Sequence, residues 1–410
     1  EDIVKKNSLL LSSVFTSTSL FALMSMTPVL AQTADADKEA DKPAAERTMK
    51  LGSITVTAQR REETVNEVPM AIQAFSGDQL DLLNATDVED LEALVPSFSV
   101  SQSYQGVPTY TLRGIGFNTI NVSATSTVGT YVDEVAYPYP FMNSGPMFDI
   151  ERVEVLKGPQ GTLFGRNTTA GLINMVTNKL TKAYESSIGV DVGNYDTFNL
   201  EGMVNLPLSD KIQSRIAFRK ETSSEGWQKS ITRGEDRGTI DKLGYRFSLA
   251  VELTEKMDVD FSYNGWVNKS DTIAGQGIGL TPNTDPTFIV PGTNGPSTAS
   301  GFNQPGLVNF LANNFPTNAK QADWAPISDR SLTIGAGKGI DGPLEEDSKF
   351  DAFKLGFDYL FDNDVKFVSL TGYNKLDRQA VLDWSGAPYQ ILVQDVEAEI
   401  KSFSQEFRFE

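Results

Sequence analysis

Residues 149–177, DIERVEVLKGPQGTLFGRNTTAGLINMVT, decide how the rest of the chain is read. An amphipathic segment carrying Ile150, Val153, Val155 and Leu156 runs into Gly158-Pro159; a glycine-punctuated loop follows, then an apolar strand. The spacing over Met147–Leu156 predicts a helix, and Gly171–Val176 predicts a strand. Gly158, Gly161, Gly165 and Gly171 imitate a phosphate-cradling loop only superficially, because the Walker pattern G-x-x-x-x-G-K-[ST] is absent. They are expected instead to permit left-handed turns and close approach between packed units.

Around this stretch, residues 68–178 read as one α/β unit. Pro69–Phe75 predicts a short strand, and Asp78 is a candidate N-cap for a helix over Gln79–Leu83. Asp87 begins a second expected helix, with Val88, Leu91, Leu94 and Val95 on one face and Pro96 stopping it. Further strands are expected over Phe98–Ser103, Tyr110–Ile115 and Thr127–Ala136.

Beyond Ala183 the period becomes two. Ile212, Ser214, Ile216 and Phe218 alternate with Gln213, Arg215, Ala217 and Arg219, and the segments around Phe198, Phe247, Phe261 and Phe353 repeat the pattern. A β-sandwich alternates too, but here the opposite face carries Lys, Arg, Asp and Glu, which suits the wet lumen of a barrel. Tyr245, Trp266, Tyr359 and Tyr373 are placed for interfacial girdles. Tight turns at 206–210 and 361–364 contrast with a long Gly-, Asn- and Pro-rich connection over 271–346, whose aromatics Phe288, Phe302 and Trp324 could touch a ligand or simply pack the loop.

At the N-terminus, Lys5 and Lys6 precede an apolar stretch that ends in Val29-Leu30-Ala31, the form of a Sec signal peptide over 1–31. Residues 32–52 are Ala, Asp, Lys, Glu and Thr with little to bury, so an unstructured tail is expected. Within 53–59, Ile54, Thr55, Val56, Thr57 and Ala58 form a short β-branched peptide with no partner strand in view, suited to strand addition at an exposed sheet edge.

Composition narrows the chemistry. The chain has 410 residues, a formal net charge of −19, no Cys and no His. An acidic chain without a basic block argues against nucleic acid as a partner. Without thiol or imidazole, disulfides, Ser-His-Asp triads and HExxH zinc sites are excluded within this sequence, and no cofactor is expected. No apolar run of about 18 residues marks a spanning helix, whereas barrel strands need only about 9–11 alternating residues.

The order leader, tail, short peptide, glycine-punctuated unit and alternating strands closely resembles a TonB-dependent outer-membrane receptor. The resemblance implies an α+β plug domain (60–180) followed by an antiparallel transmembrane β-barrel (181–410). About eight strands are countable, against about 22 in plugged transporters, so the barrel is expected to be incomplete here. It further implies that residues 54–58 are a TonB box, which would pair with the periplasmic protein TonB. Arg113 and Lys157 would be plug residues latched to barrel-wall carboxylates. The implied setting is the outer-membrane lipid of a Gram-negative cell. The implied function is active import of a small-molecule ligand, most commonly a ferric siderophore, with saccharide, aromatic or vitamin-like ligands open. The short spacing between Ala31 and Ser53 leaves no room for the extra domain of signalling receptors. A passive porin or adhesin is the competing reading, but it needs neither the 54–58 peptide nor a folded plug.

Overall fold

The computed structural model describes residues 55–57, 60, 63–103, 106–119, 121–277, 313–325, 342–388 and 392–410. The expected leader and tail, Ile54, Ala58, Phe288 and Phe302 lie outside the described residues.

The N-terminal unit is built on a five-stranded sheet. Its strands are β1 (Ile72–Ser76), β2 (Val128–Val132), β3 (Val135–Ala136), β4 (Ile150–Lys157) and β5 (Gly171–Thr177), arranged β1-β4-β5-β2-β3. β5 runs parallel to β2, and the other pairs are antiparallel. β4 corrects the helix expected over Met147–Leu156. Ile150, Val153 and Leu156 satisfy helical spacing, yet the segment lies at the centre of a sheet and is covered on both faces. Val153 and Val155 enter the larger apolar core, while Arg152, Glu154 and Leu156 face the other way. A strand buried on both sides keeps no polar face for periodicity to register.

The helices are shorter than expected. α1 (Gly77–Leu82) is capped by Ser76, not Asp78: Ser76 Oγ accepts from the Gln79 amide at 3.3 Å and Gln79 Oε1 accepts from the Ser76 amide at 3.1 Å, a reciprocal capping box. Asp87 does not open a helix; its Oδ1 accepts from the Glu89 and Asp90 amides at 2.9 and 3.1 Å, and α2 covers only Leu91–Leu94. The Tyr110–Ile115 segment divides into Pro108–Leu112 and Ile115–Gly116, joined by a turn in which Arg113 takes φ 53.

The second sheet has eight strands: β6 (Glu185–Gly193), β7 (Thr197–Ser209), β8 (Ile212–Thr222), β9 (Asp241–Thr254), β10 (Met257–Asn268), β11 (Glu346–Leu360), β12 (Lys366–Asp383) and β13 (Val393–Phe409). Each is antiparallel to the next. Along β8 the alternation is physical: Ile216 and Phe218 are exposed, while Arg215, Ala217 and Arg219 are buried toward the N-terminal unit. Ile188, Val190, Phe247, Phe353, Phe403 and Phe407 extend the exposed apolar face. In water such a face would drive aggregation; facing lipid it is the ordinary exterior of a transmembrane barrel. No helix among the described residues is long and apolar enough to cross a membrane.

Tight turns at Ser209–Ile212, Thr254–Met257 and Leu360–Lys366 mark one edge of the sheet, and long connections mark the other. At the long-loop edge, Gln228–Ser230 pairs with Asp236–Arg237 and with Gln321–Ala322. Trp266 corrects its placement in a girdle. It points inward, stacks on Phe350 at 5.8 Å and donates from Nε1 to the Met142 carbonyl at 3.0 Å. Tyr245 sits on the outer face, where its hydroxyl and that of Tyr263 converge on Asp351 Oδ1 at 3.1 and 2.5 Å.

Candidate functional site

A docked peptide and a charged interface between the two sheets make up the site. The peptide comes first in sequence. Thr55–Val56 pairs antiparallel with Glu63–Thr64, so this segment has a partner strand only a few residues downstream, contrary to the sequence expectation. Val56 is 0% exposed and sits among Val68, Tyr131, Leu156, Phe164 and Leu172. Burying a valine this fully is worth about 1.5–3 kcal/mol. Thr57 is held by polar contacts. Its amide donates to Glu154 Oε1 at 2.8 Å and its hydroxyl to the same oxygen at 3.2 Å. Arg152 Nε donates to Glu154 Oε1 at 2.8 Å, and Asn174 Nδ2 reaches Glu154 Oε2 at 3.1 Å and Thr57 Oγ1 at 3.3 Å. Glu154, 0% exposed in mid-sheet, is therefore a charged anchor for an otherwise short peptide.

Arg60 follows directly. Its guanidinium lies 4.5 Å from the Phe164 ring centroid and pairs with Glu134 at 3.1 Å and with Glu406 of β13 at 3.6 Å. Arg408, also on β13, reaches Glu134 at 2.6 Å. Chain just beyond the docked peptide is thus tied to both sheets at one point. Burial pushes the Glu134 carboxyl up, but Arg408 and then Arg60 outweigh it and hold the group below the usual glutamate range. Because the folded value is depressed, this tie is fully present above the ordinary glutamate pKa and is lost as pH falls through the lower folded value. Acid titration of the intact protein should show Glu134→Gln flattening the stability loss in that acidic window and leaving the neutral-pH slope unchanged.

The second tie is Asp149, at φ 51 in the turn before β4. Arg215 of β8 grips its carboxylate with Nε at 2.8 Å and Nη2 at 2.5 Å, and Asn178 Nδ2 adds 2.9 Å. Arg246 of β9 donates to the Phe148 and Asp149 carbonyls, each at 3.2 Å. Glu201 accepts from the Asp149 amide at 3.3 Å and is itself paired with Arg219 at 2.7 Å.

Between these ties the contact is mainly apolar, crossed by single hydrogen bonds from Asn264, Trp266 and Asn374. Tyr137 meets Phe350 edge-on at 5.0 Å, and its hydroxyl accepts from Asn264 at 3.1 Å. Of the loop glycines, Gly171 makes a close approach, to Leu156 and Leu112 inside the N-terminal unit, whereas the close approach to the eight-stranded sheet is made by Gly145. Gly158, Gly165 and Gly171 have positive φ, whereas a Cβ on Gly145 would lie 2.2 Å from the Trp266 ring. Gly145→Val should therefore push Trp266 out of its groove and cost about 1–3 kcal/mol, read by denaturant unfolding in detergent with indole fluorescence as the probe.

Arg113 and Lys157 share one corner of the N-terminal unit. Arg113 is exposed, Lys157 Nζ donates to the Pro96 carbonyl at 3.3 Å, and partial burial with the nearby Arg113 charge lowers the Lys157 ammonium pKa. Among the described residues neither pairs with a carboxylate of the eight-stranded sheet; instead Asp149 and Glu134 supply carboxylates to arginines of that sheet, the reverse polarity. Both acids escaped sequence reasoning. Their signals were a lone Asp ahead of the apolar segment and an Asp-Glu pair at a strand reversal, and neither names a partner. Trp324 is 3% exposed, packed with Ala274, Ala322, Leu344 and Val381, and lies 5.5 and 5.6 Å from the Arg233 and Arg237 guanidinium groups. It packs the loop and offers no open face.

Residues 64–172 match the model of the TonB-dependent Receptor Plug Domain. The chain carries the plug domain of the TonB-dependent receptors. The five-stranded unit is the plug, and the eight-stranded sheet is a stretch of outer-membrane barrel wall. Among similar proteins, the vitamin B12 transporter BtuB of Vibrio vulnificus is 24% identical over 241 residues, covering 54% of this chain and 38% of its own length. The ferric-pyoverdine 358 receptor of Pseudomonas putida is 25% identical over 167 residues, 40% of this chain and 20% of that one. In fold, the ferric yersiniabactin uptake receptor FyuA of Yersinia pestis aligns with TM-score 0.61 at 16% identity, over 83% of this chain and 45% of that chain. The siderophore receptor PiuA of Acinetobacter baumannii gives 0.61 at 13% identity, over 85% and 43%. The chain spans less than half the length of these relatives.

Proposed function

We propose that the receptor actively imports a scarce ligand across the outer membrane, and that residues 54–58 are the TonB box through which the periplasmic protein TonB pulls. One observation carries this reading. The 55–57 segment is docked by one buried valine and a few hydrogen bonds, on the tight-turn edge that would face the periplasm. Such a segment is held firmly enough to stay in place and weakly enough to be recruited as an added strand. A passive pore has no use for this arrangement.

The ligand we propose is a ferric siderophore. Support comes from relatives named for ferric-pyoverdine and ferric yersiniabactin, with vitamin B12 in another relative's name marking the alternative. Deleting residues 54–58 from the intact receptor should abolish energised uptake of radiolabelled ferric siderophore while leaving surface binding in place. Uptake that survives the deletion sinks the coupling role. Failure of any ferric siderophore to bind, with cobalamin bound instead, sinks the ligand assignment alone.

A further inference from the structure

A cavity of about 210 Å³ opens at the long-loop edge, where plug meets wall. Asp87, Glu89 and Asn143 line it from the plug, and Lys242, Glu346 and Arg378 from the wall. We propose that this cavity receives a primary ammonium group of the ligand, so that the receptor selects a cationic or zwitterionic solute over a polyanion. The proposal rests on the import reading above and adds the charge of what is imported.

Charge is the first support. With Asp271 included, the lining holds four carboxylates against two cations. Arg378 is committed to Glu346, which accepts from its Nε at 3.0 Å and its Nη2 at 3.1 Å. Lys242 stands 3.9 Å from Asp87, at the limit of an ion pair. The Glu89 carboxylate accepts no hydrogen bond and forms no ion pair among the described residues. The adjoining seam has the same sign, because Asp81 and Asp90 of the plug lie within electrostatic reach of Asp191 and Glu221 of the wall. Partial burial, then a neighbouring carboxylate, pushes the Asp81, Glu89 and Asp90 carboxyls up. A cation entering here relieves that crowding, whereas an anion adds to it.

Open hydrogen-bonding capacity is an independent support. Asn143 is 7% exposed, yet neither its Oδ1 nor its Nδ2 has a partner among the described residues. Arg378 is 5% exposed, lies 4.1 Å over the Phe141 ring and leaves Nη1 unpartnered. Buried amides normally pair, so one left open on a cavity wall marks where a guest completes it. Asn143 Oδ1 and Glu89 supply acceptors for an ammonium, while Arg378 Nη1 and Asn143 Nδ2 can serve an oxygen carried beside it.

Size limits what enters. At about 210 Å³ the cavity falls below the roughly 300–1,000 Å³ of whole small-molecule sites, so it takes a side arm and leaves the bulk of the ligand outside.

The 410 residues contain no cysteine, so an introduced thiol has no native competitor in this chain. In the intact receptor, Ser144→Cys in the cavity lining would be reacted with a cationic and with an anionic methanethiosulfonate. The cationic-to-anionic rate ratio should exceed that of a simple thiol in solution by about tenfold or more, as in a cleft that concentrates counter-ions. Glu89→Gln should bring the ratio most of the way back. Pentylammonium should slow the cationic reagent, and neutral N-pentylacetamide should not. Asn143→Leu should remove that protection and keep the ratio. A ratio equal to that of the simple thiol overturns the proposal. So does a high ratio without ammonium protection, which would mean a negative vestibule and no subsite, and so does equal protection by the neutral amide. If Ser144→Cys disturbs the fold, Gln102→Cys, also in the lining, gives the same readout. These rates involve no transport, so their failure strikes the ammonium subsite alone. Uptake that survives deletion of residues 54–58 strikes the import reading and leaves the ratio standing.

Discussion

Asp149→Asn should loosen the plug from the wall by about 3–5 kcal/mol, the usual consequence of breaking one side of a buried ion pair. Asparagine has nearly the same volume and tolerates the left-handed backbone that Asp149 adopts, so the turn itself should persist. Only the charge and one acceptor are lost. Arg215 then directs two N–H groups at a partner with a single acceptor, and its guanidinium stays buried with no full counter-charge; Glu185, at 3.7 Å, is too distant and exposed to replace it. Arg246, 3.9 Å from the same carboxylate, loses its counter-charge as well. The bidentate fork makes the effect larger than a lysine would give. Denaturant unfolding in detergent, followed by near-ultraviolet dichroism, should show a plug transition separating from that of the wall. Pairing the change with Arg215→Met should restore part of the loss, because the orphaned charge is then gone. A single-variant cost below about 1 kcal/mol would place the pair with ordinary surface bridges and refute the tie.

The same pair shows where sequence reasoning reaches and where it stops. Arg215 was placed on the lumenal face by strict alternation, and the structure puts it there, because one face of that strand meets lipid and the other does not. The period of a half-apolar strand is written in the chain. Asp149 is different. Nothing local distinguishes it from a solvated turn residue; its role comes from a strand met only after the chain has crossed the wall twice. The helix read over Met147–Leu156 failed for a related reason: β4 is covered on both faces, so its hydrophobic pattern carries no two-residue signature. Ser76 is legible in the sequence, since Ser76-x-x-Gln79 has capping-box spacing, whereas Asp78 lacks a Glu or Gln three residues on. The short peptide was legible as an extended segment, but its dock was not. Val56 reads as any apolar residue until Leu156, Phe164 and Leu172 are brought under it by the sheet.

Glu154→Gln should free the 55–57 segment in the resting receptor. The native carboxylate accepts from the Thr57 amide and hydroxyl, Arg152 and Asn174, four donors on two oxygens. Glutamine offers one oxygen and an NH₂ that must face a donor, so at least one charge-assisted contact becomes a repulsion. Hydrogen bonds to charged groups are worth about 1.5–3 kcal/mol each, comparable to the burial of Val56 that opposes release. The competition is therefore close, and losing the anchor decides it. A spin label on Thr55, which is exposed and outside the Glu154 network, should change from a restricted to a mobile spectrum in Glu154→Gln. Val56→Ala should give an intermediate mixture, because it weakens the apolar half and spares the polar half. If the coupling role holds, the freed segment should also be captured by purified TonB periplasmic domain without ligand. A restricted spectrum in Glu154→Gln would mean that burial of Val56 and pairing with Glu63–Thr64 hold the segment by themselves, and the carboxylate would then be an anchor for Arg152 alone.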